Sequence, residues 1–140
     1  MRSLAREKYE LAPVQSVGKL AALYKTAASI PVVLIDPVDQ YVTRIGVDQI
    51  NDELMRFKYN SGFYFEHDID TLKEILPICG ERLQTLTYFG MGKEEITAFL
   101  SEFKPKGIDR AVPMGRSMDF SLNWDGFDLI RQLSRKVTVT

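Results

Sequence analysis

Charged and aromatic residues near the end of the sequence are of the types that bind anions or line ligand channels. Arg110 and Arg116 carry the planar guanidinium that binds phosphate or carboxylate through two parallel hydrogen bonds. Trp124 has the flat apolar surface that lines ligand channels. A structural alternative is equally open, because Asp-Gly at 125–126 is a typical turn dipeptide and arginine–aspartate pairs could hold the loop. The residues concerned are Asp109, Arg110, Arg116, Asp119, Trp124 and Asp125, clustered around Gly115 and Gly126.

Cys79 is the only cysteine and therefore the only thiol nucleophile in the sequence. An activated thiolate needs a helix N-terminus, a cation or a base beside it. The spacing of apolar residues places Cys79 instead on the apolar face of a predicted helix, near its C-terminal end. We therefore expect Cys79 to be a core residue. A single cysteine also excludes an internal disulfide and a multi-cysteine zinc site.

His67 is the only histidine, so a histidine-pair metal site is excluded. It lies between Glu66 and Asp68 at a predicted strand-to-helix junction, where acids and bases of α/β proteins often collect. Neighbouring carboxylates would raise its pKa and suit it to acid–base work. Because no partner is visible, the favoured interpretation is a residue of a capping loop.

Gly90-Met-Gly92 is the part of the sequence most similar to a nucleotide-binding loop, since it follows a predicted strand and precedes a predicted helix. The dinucleotide fingerprint needs a third glycine three residues further on, and none is there. Glu94 and Glu95 would also oppose a phosphate at the helix N-terminus. We predict a helix-capping turn and assign no catalytic, cofactor-binding or metal-binding residue.

The composition is that of a globular protein. Of 140 residues, 45% are hydrophobic and 26% are charged, and the net charge is −1. Acidic and basic residues are mixed along the chain, which excludes the basic stripe of a nucleic-acid-binding protein. No apolar run approaches the roughly 20 residues of a membrane span, and the N-terminal residues do not resemble a signal peptide. We expect a cytoplasmic protein with a single α/β domain over residues 1–140.

Alternating strand and helix patterns predict an α/β fold, with a mainly parallel or mixed sheet and helices on its faces. The predicted strands are 31–35, 41–45, 62–66, 83–89 and 110–114. The predicted helices are one capped by Ser16 with Leu20, Leu23, Tyr24, Ala27 and Ala28 on its apolar face, one capped by Asp68 or Asp70 with Leu72, Ile75, Leu76 and Cys79, one from Lys93 with Ile96, Phe99, Leu100 and Phe103, and one over 127–133.

The stretch from Gly107 to Ile130 combines charged, aromatic and glycine residues in an order that no periodic helix or strand requires, and four ordered segments of the sequence carry a resemblance to a known family. They are Asn60-Ser-Gly-Phe-Tyr-Phe-Glu66, Arg82-Leu-Gln-Thr-Leu-Thr-Tyr-Phe-Gly90, Asp109-Arg-Ala-Val-Pro-Met-Gly-Arg116 and Trp124-Asp-Gly-Phe-Asp-Leu-Ile130. In this order they resemble the C-terminal end of the bacterial luminescence-type fatty acyl-CoA reductases. The resemblance is strongest over residues 41–135.

The resemblance implies the fold of the C-terminal part of an aldehyde dehydrogenase-like catalytic domain. Members of the family reduce a long-chain acyl-CoA or acyl thioester to an aldehyde, using NADPH and a cysteine that becomes acylated. In the family, the dinucleotide-binding domain and that cysteine precede the matched region, and Cys79 does not occupy the cysteine's motif. By analogy of position, the resemblance places Arg116, Phe120 and Trp124 in the wall of an acyl pocket.

Two hypotheses about function follow. The first is the C-terminal portion of an acyl-CoA reductase, inactive alone and binding no cofactor itself. The second is a free-standing α/β ligand-binding or protein-interaction module without redox activity. A part of a larger domain would expose apolar surface that the rest normally covers, so we expect self-association as a homo-oligomer.

Overall fold

The computed structural model describes residues 2–35 and 39–139. They form two compact units, with the boundary between Ile78 and Cys79. Helices and short strands follow one another along the chain, and the strands form small sheets. This confirms the predicted α/β class. The elements are α1 (Arg2–Lys8), α2 (Pro13–Ala27), β1 (Val32–Leu34), β2 (Thr43–Val47), β3 (Phe63–Glu66), β4 (Thr85–Tyr88), α3 (Lys93–Phe103), β5 (Arg110–Pro113), β6 (Asn123–Trp124), β7 (Phe127–Asp128) and α4 (Leu129–Leu133), with 3₁₀ helices at Asp52–Arg56 and Leu72–Ile78.

A three-stranded mixed sheet organises the first unit. β1 pairs antiparallel with β2, and β2 pairs parallel with β3, with Ile45 opposite Phe65. Alternate residues of β2 are buried, as the period of two in a strand requires when one face meets the core. The core of this unit consists of Leu23, Ile45 and Phe63, with Ala22, Val32 and Phe65 packed against them.

The buried face of α2 differs from the predicted one. Lys19, Leu23 and Thr26 are buried, whereas Leu20 and Tyr24 are exposed. The two polar residues satisfy their hydrogen-bonding groups inside the unit: Lys19 Nζ donates to the carbonyl oxygen of Gln40, and Thr26 Oγ1 donates to that of Ala22 at 2.8 Å. The helix also begins earlier than predicted, after Ala12 rather than at Ser16. A prediction from apolar spacing alone cannot identify a face that includes polar residues with internal partners.

The segment that was predicted as a helix capped by Asp68 or Asp70 is a 3₁₀ helix, Leu72–Ile78, with Pro77 inside it. Its start is held by Glu74, whose Oε1 accepts hydrogen bonds from the backbone nitrogens of Asp70 (3.2 Å) and Thr71 (2.8 Å). Proline lacks the N–H group that an α-helical turn needs and clashes with the preceding turn, which explains the tighter, shorter helix. Cys79 therefore follows this helix instead of lying on its apolar face.

The second unit contains a two-stranded parallel sheet, in which β4 pairs with β5 and Leu86 lies opposite Ala111. α3 connects these strands, and its buried Ile96 and Phe99 confirm the predicted apolar face. Gly107 precedes β5 with φ of 81°, and a Cβ atom there would lie 1.8 Å from the carbonyl oxygen of Gly80. Only glycine permits both this backbone conformation and this close approach.

The last part of the second unit is a β-hairpin followed by a short helix. β6 and β7 pair antiparallel, with Trp124 opposite Phe127. The predicted helix over 127–133 is thus shorter than expected, because Phe127 and Asp128 belong to β7 and the helix begins at Leu129. Asp128 caps it through a hydrogen bond from the backbone nitrogen of Arg131 to Oδ1 at 3.1 Å. Within residues 2–35 and 39–139, no helix has the length and apolarity needed to cross a membrane.

Candidate functional site

Arg110, at the start of β5, holds the loop that follows this strand. Its Nη2 atom donates hydrogen bonds to the carbonyl oxygens of Arg116 (3.2 Å) and Ser117. Its guanidinium carbon lies 4.5 Å from the centre of the Trp124 ring, a cation–π distance. Arg110 therefore connects the loop to the hairpin, so the guanidinium that the sequence offered as an anion ligand has a structural role.

Two of the three predicted pocket residues are in contact. The ring centroids of Phe120 and Trp124 lie 5.3 Å apart, and the ring planes are tilted by 31°. The guanidinium of Arg116 binds Asp119 instead, with Nε donating to Oδ2 at 2.6 Å. The side chains of Arg116 and Asp119 are both exposed. Arg116 is linked to the aromatic pair through its backbone carbonyl oxygen, which Arg110 binds.

The Asp125-Gly126 turn keeps Trp124 next to Arg110. Asp125 and Gly126 have φ of 49° and 79°, as in the type I′ turn of a two-residue hairpin loop. A Cβ atom at Gly126 would lie 2.8 Å from Asp109 Oδ1, so the turn packs closely against the residue that precedes Arg110. The structural interpretation of the Asp-Gly pair as a turn is confirmed.

The segment 114–133, which includes the loop, the hairpin and α4, exposes many apolar side chains. Phe120 is 69% exposed, and Trp124 is half-buried. Such a density of exposed apolar groups is typical of a surface that a ligand or another protein covers. The other large exposed apolar residues of the segment are Met114, Met118, Leu122, Phe127, Ile130 and Leu133.

Cys79 lies half-buried at the start of the second unit. Burial raises the pKa of the Cys79 thiol, because the thiolate loses hydration. An activated nucleophile requires the opposite shift. Burial therefore disfavours the thiolate form of Cys79.

His67 contributes to the packing of the first sheet. Its Nδ1 lies 2.7 Å from the carbonyl oxygen of Val47, beyond the end of β2. Because a carbonyl oxygen only accepts, Nδ1 carries the hydrogen in this contact. The ring thus connects the ends of β2 and β3.

The glycine turn before α3 is followed by acidic residues. Gly92 is the N-cap of the helix, and Glu94 and Glu95 occupy the first turn. A Cβ atom at Gly92 would lie 3.3 Å from Glu94 Oε2, so a carboxylate lies beside the start of the helix, where its charge opposes an anion. In the part of the chain that the structure describes, no group of three or more histidine, cysteine or acidic side chains could hold a metal ion.

Sequence reasoning missed a cavity in the first unit, to which Tyr9, Tyr41 and Tyr64 contribute. These residues come from three separate segments, and α1 was not among the predicted helices. No spacing within one element could have signalled the cavity.

No protein family, no curated protein and no solved structure matches the chain. The assignment to the acyl-CoA reductases accordingly stays a hypothesis drawn from the four ordered segments.

Proposed function

We propose that residues 41–135 are the C-terminal portion of an NADPH-dependent acyl-CoA reductase, and that the segment 114–133 lies against the acyl chain of a long-chain thioester. The observation that carries this proposal is the contact of Trp124 with both Phe120 and Arg110 within a segment rich in exposed apolar side chains. Burying each methylene of an acyl chain contributes about 0.8 kcal/mol, so such a surface binds long chains better than short ones.

The three pocket residues have separate roles in this proposal. Phe120 and Trp124 form an apolar wall, and Arg110 keeps Trp124 in position. Arg116 binds a phosphate of the CoA group by exchanging its partner Asp119. Losing the ion pair with Asp119 costs little free energy, since an exposed ion pair contributes only about 0–1 kcal/mol.

NADPH and the acylated cysteine belong, in this proposal, to polypeptide outside residues 41–135. Cys79 is not assigned to the reaction, because burial raises its thiol pKa. The proposal includes a cytoplasmic location, a homo-oligomeric state and no nucleic-acid partner.

Trp124 is the only tryptophan, so its fluorescence reports on this site without interference from other indole groups. Titration with dodecanoyl-CoA, below its micelle concentration, is expected to change the Trp124 emission saturably. CoA alone should bind at least about 10-fold more weakly, because it lacks the methylenes that the apolar wall covers. Equal responses to CoA and dodecanoyl-CoA would contradict an acyl site.

A matched pair of variants tests the wall itself. Phe120→Ala should weaken dodecanoyl-CoA binding about 5-fold, since a partly buried aromatic contact is lost. Phe89→Ala removes an equally large ring that is 82% exposed and lies outside the segment 114–133, so it should leave binding unchanged. Equal losses in both variants would indicate non-specific adsorption of the acyl chain.

An activity assay tests the assignment to a portion of the enzyme. This chain, incubated with dodecanoyl-CoA and NADPH, should produce no aldehyde and oxidise no NADPH. Measurable turnover would overturn the view that the reactive cysteine and the cofactor site lie elsewhere.

The same exposed apolar side chains also favour the second candidate function, a module that docks another protein without redox chemistry. It makes the opposite prediction in the titration: Trp124 fluorescence would not respond to dodecanoyl-CoA. The binding experiment therefore distinguishes the two candidates directly.

A further inference from the structure

A cavity of about 570 Å³ lies in the first unit. Its volume falls within the range of small-molecule sites, about 300–1,000 Å³. α1 and the connection to α2 form one side, and the residues that precede and enter β2 and β3 form the other. It is separate in sequence from the segment 114–133 and is independent of the proposed function.

Aromatic and aliphatic groups dominate the walls of this cavity. Tyr9, Tyr41 and Tyr64 contribute three rings, and Leu4 and Leu11 contribute aliphatic surface. Rings at this density provide faces on which a flat ligand stacks. Aromatic faces also attract cations, because the ring quadrupole is negative above its plane.

The backbone at Gly62 lies close to the backbone of Tyr41, another residue of the lining. Gly62 has φ of 81°, and a Cβ atom there would lie 2.1 Å from the carbonyl oxygen of Tyr41. The backbone nitrogen of Thr43 donates to the carbonyl oxygen of Gly62 at 2.8 Å. The wall that carries Tyr41 and Tyr64 is therefore built on a close backbone contact that only glycine permits.

Two polar side chains of the lining, Gln15 and Ser61, are already hydrogen-bonded within the chain. Gln15 Oε1 accepts from the backbone nitrogen of Ala12 at 2.9 Å, and Gln15 Nε2 donates to Ser61 Oγ at 3.2 Å. The first bond caps α2, and the second connects α2 to the segment that precedes β3.

Glu10 carries the only formal charge among the described residues that line the cavity. Its carboxylate has no ion-pair partner in the described part of the chain. The nearby cation Arg6 is paired with Asp39, since its Nη2 donates to Asp39 Oδ2 at 2.9 Å. Its guanidinium lies over the Tyr41 ring at 5.9 Å, so Tyr41 already contacts a cation and the rings of Tyr9 and Tyr64 are the ones offered to a ligand. The lining as a whole favours a cation over an anion.

We infer that this cavity binds a planar aromatic amine in its protonated form. The ring system stacks against the tyrosines, and the ammonium group lies near the Glu10 carboxylate. A carboxylate ligand of the same shape is disfavoured, because it would meet the charge of Glu10, whereas the charge of the nearby Arg6 is already paired with Asp39.

Three indoles of similar size test the inference by NMR of the ¹⁵N-labelled chain. Tryptamine is the cation, 3-ethylindole the neutral analogue and indole-3-propionate the anion. Tryptamine should shift the backbone amide signals of Tyr41, Gly62 and Tyr64 saturably, and should bind about 2- to 5-fold tighter than 3-ethylindole. Indole-3-propionate should bind more weakly than both.

Two variants and one control assign the preference to residues. Glu10→Gln should reduce the preference for tryptamine over 3-ethylindole and leave 3-ethylindole binding unchanged. Tyr64→Ala should weaken all three ligands, whereas Tyr24→Ala, which removes an exposed ring of α2 outside the cavity, should weaken none.

The comparison of the three ligands on the unaltered chain is decisive even if a variant fails to fold. Absence of saturable shifts with any ligand would overturn the inference, as would indole-3-propionate binding as tightly as tryptamine. Equal effects of Tyr64→Ala and Tyr24→Ala would also overturn it.

Discussion

Gly18 shows how one residue without a side chain fits α2 to its surroundings. A Cβ atom at this position would lie 1.9 Å from Oη of Tyr59. The Tyr59 ring in turn meets Phe63, a core residue, edge to face at a centroid distance of 6.3 Å. Glycine inside a helix costs about 1 kcal/mol relative to alanine, so its presence here reflects the space that Tyr59 needs.

We expect Gly18→Ala to reduce the free energy of unfolding by about 1 kcal/mol, because overpacking outweighs the gain in helix propensity. In a Tyr59→Ala background, the same substitution should increase stability by about 0.5–1 kcal/mol, since the obstacle is gone. Urea unfolding followed by far-UV circular dichroism measures both values. The same sign in both backgrounds would contradict the steric explanation.

Asp39 is a second residue with an effect beyond its own position. Its Oδ1 accepts from the backbone nitrogens of Tyr41 (2.7 Å) and Val42 (3.2 Å). The hydrogen bond from Tyr41 is the main reason that the pKa of Asp39 lies below its usual value, with further contributions from Val42 and Arg6 and an opposing one from burial. A carboxylate with a lowered folded-state pKa stabilises the protein above its unfolded pKa of about 3.9 and loses that effect as the pH falls towards the folded value.

Asp39→Asn should therefore cost about 1 kcal/mol of stability at pH 7, because charge-assisted hydrogen bonds become neutral ones. The difference between the unaltered chain and the variant should shrink as the pH is lowered below about 4. Urea unfolding at a series of pH values checks this. A difference that stays constant down to pH 2.5 would show that Asp39 is not the titrating group.

At the scale of elements, the hairpin β6–β7 depends on the conformation of its turn. Asp125 and Gly126 both have positive φ, which only a few residue types adopt without strain. The sequence predicted this turn from the Asp-Gly pair. It did not predict the two short strands, since Asn123–Trp124 and Phe127–Asp128 are too short to show a pattern of alternation.

Gly126→Ala should destabilise the hairpin by about 1–2 kcal/mol, through positive-φ strain and the clash with Asp109. Gly115→Ala is the matched control, because Gly115 has φ of 88° but no atom within 4 Å of a Cβ position. It should show the strain alone, about 1 kcal/mol. Trp124 fluorescence during urea unfolding reports on this region, and equal losses in both variants would exclude a role for packing against Asp109.

The helices show when the spacing of apolar residues predicts the buried face of a helix and when it does not. For α3 the apolar spacing identified the buried face correctly, because that face is apolar and Ile96 and Phe99 fill it. For α2 the same reasoning was wrong, because Lys19 and Thr26 are buried with internal partners. The bond of Lys19 to Gln40 is a tertiary contact that the local pattern cannot show, and Thr26 is buried with its hydroxyl bonded to Ala22 one turn earlier in the same helix.

At the scale of the whole molecule, the second unit has a buried set of apolar residues in α3 and a long exposed apolar segment in 114–133. The prediction of a single domain over 1–140 stays a prediction beside the two compact units that the structure describes. The expected self-association also stays a prediction. Exposed apolar side chains provide a physical reason for it, because burying them between copies releases ordered water.

We expect the chain to self-associate in sedimentation velocity, with a sedimentation coefficient that rises with concentration. The double variant Phe120→Asp with Leu133→Asp should remove this dependence, because charges in the apolar segment oppose its burial. Lys106→Asp changes the net charge by the same amount at an exposed site outside 114–133 and serves as the control. A monomer at all concentrations, or equal effects of the two changes, would contradict the expectation.

The sequence by itself determined the alternation of strands and helices, the apolar face of α3 and the Asp125-Gly126 turn. Each of these depends on side chains within a few residues of one another, so local spacing and backbone preference are sufficient. Only the tertiary structure decided the stacking of Arg110 on Trp124, the fit of Gly18 to Tyr59 and the cavity between three tyrosines. These features join residues that are far apart in the chain, and their energies arise from contacts that exist only after the backbone has brought the segments together.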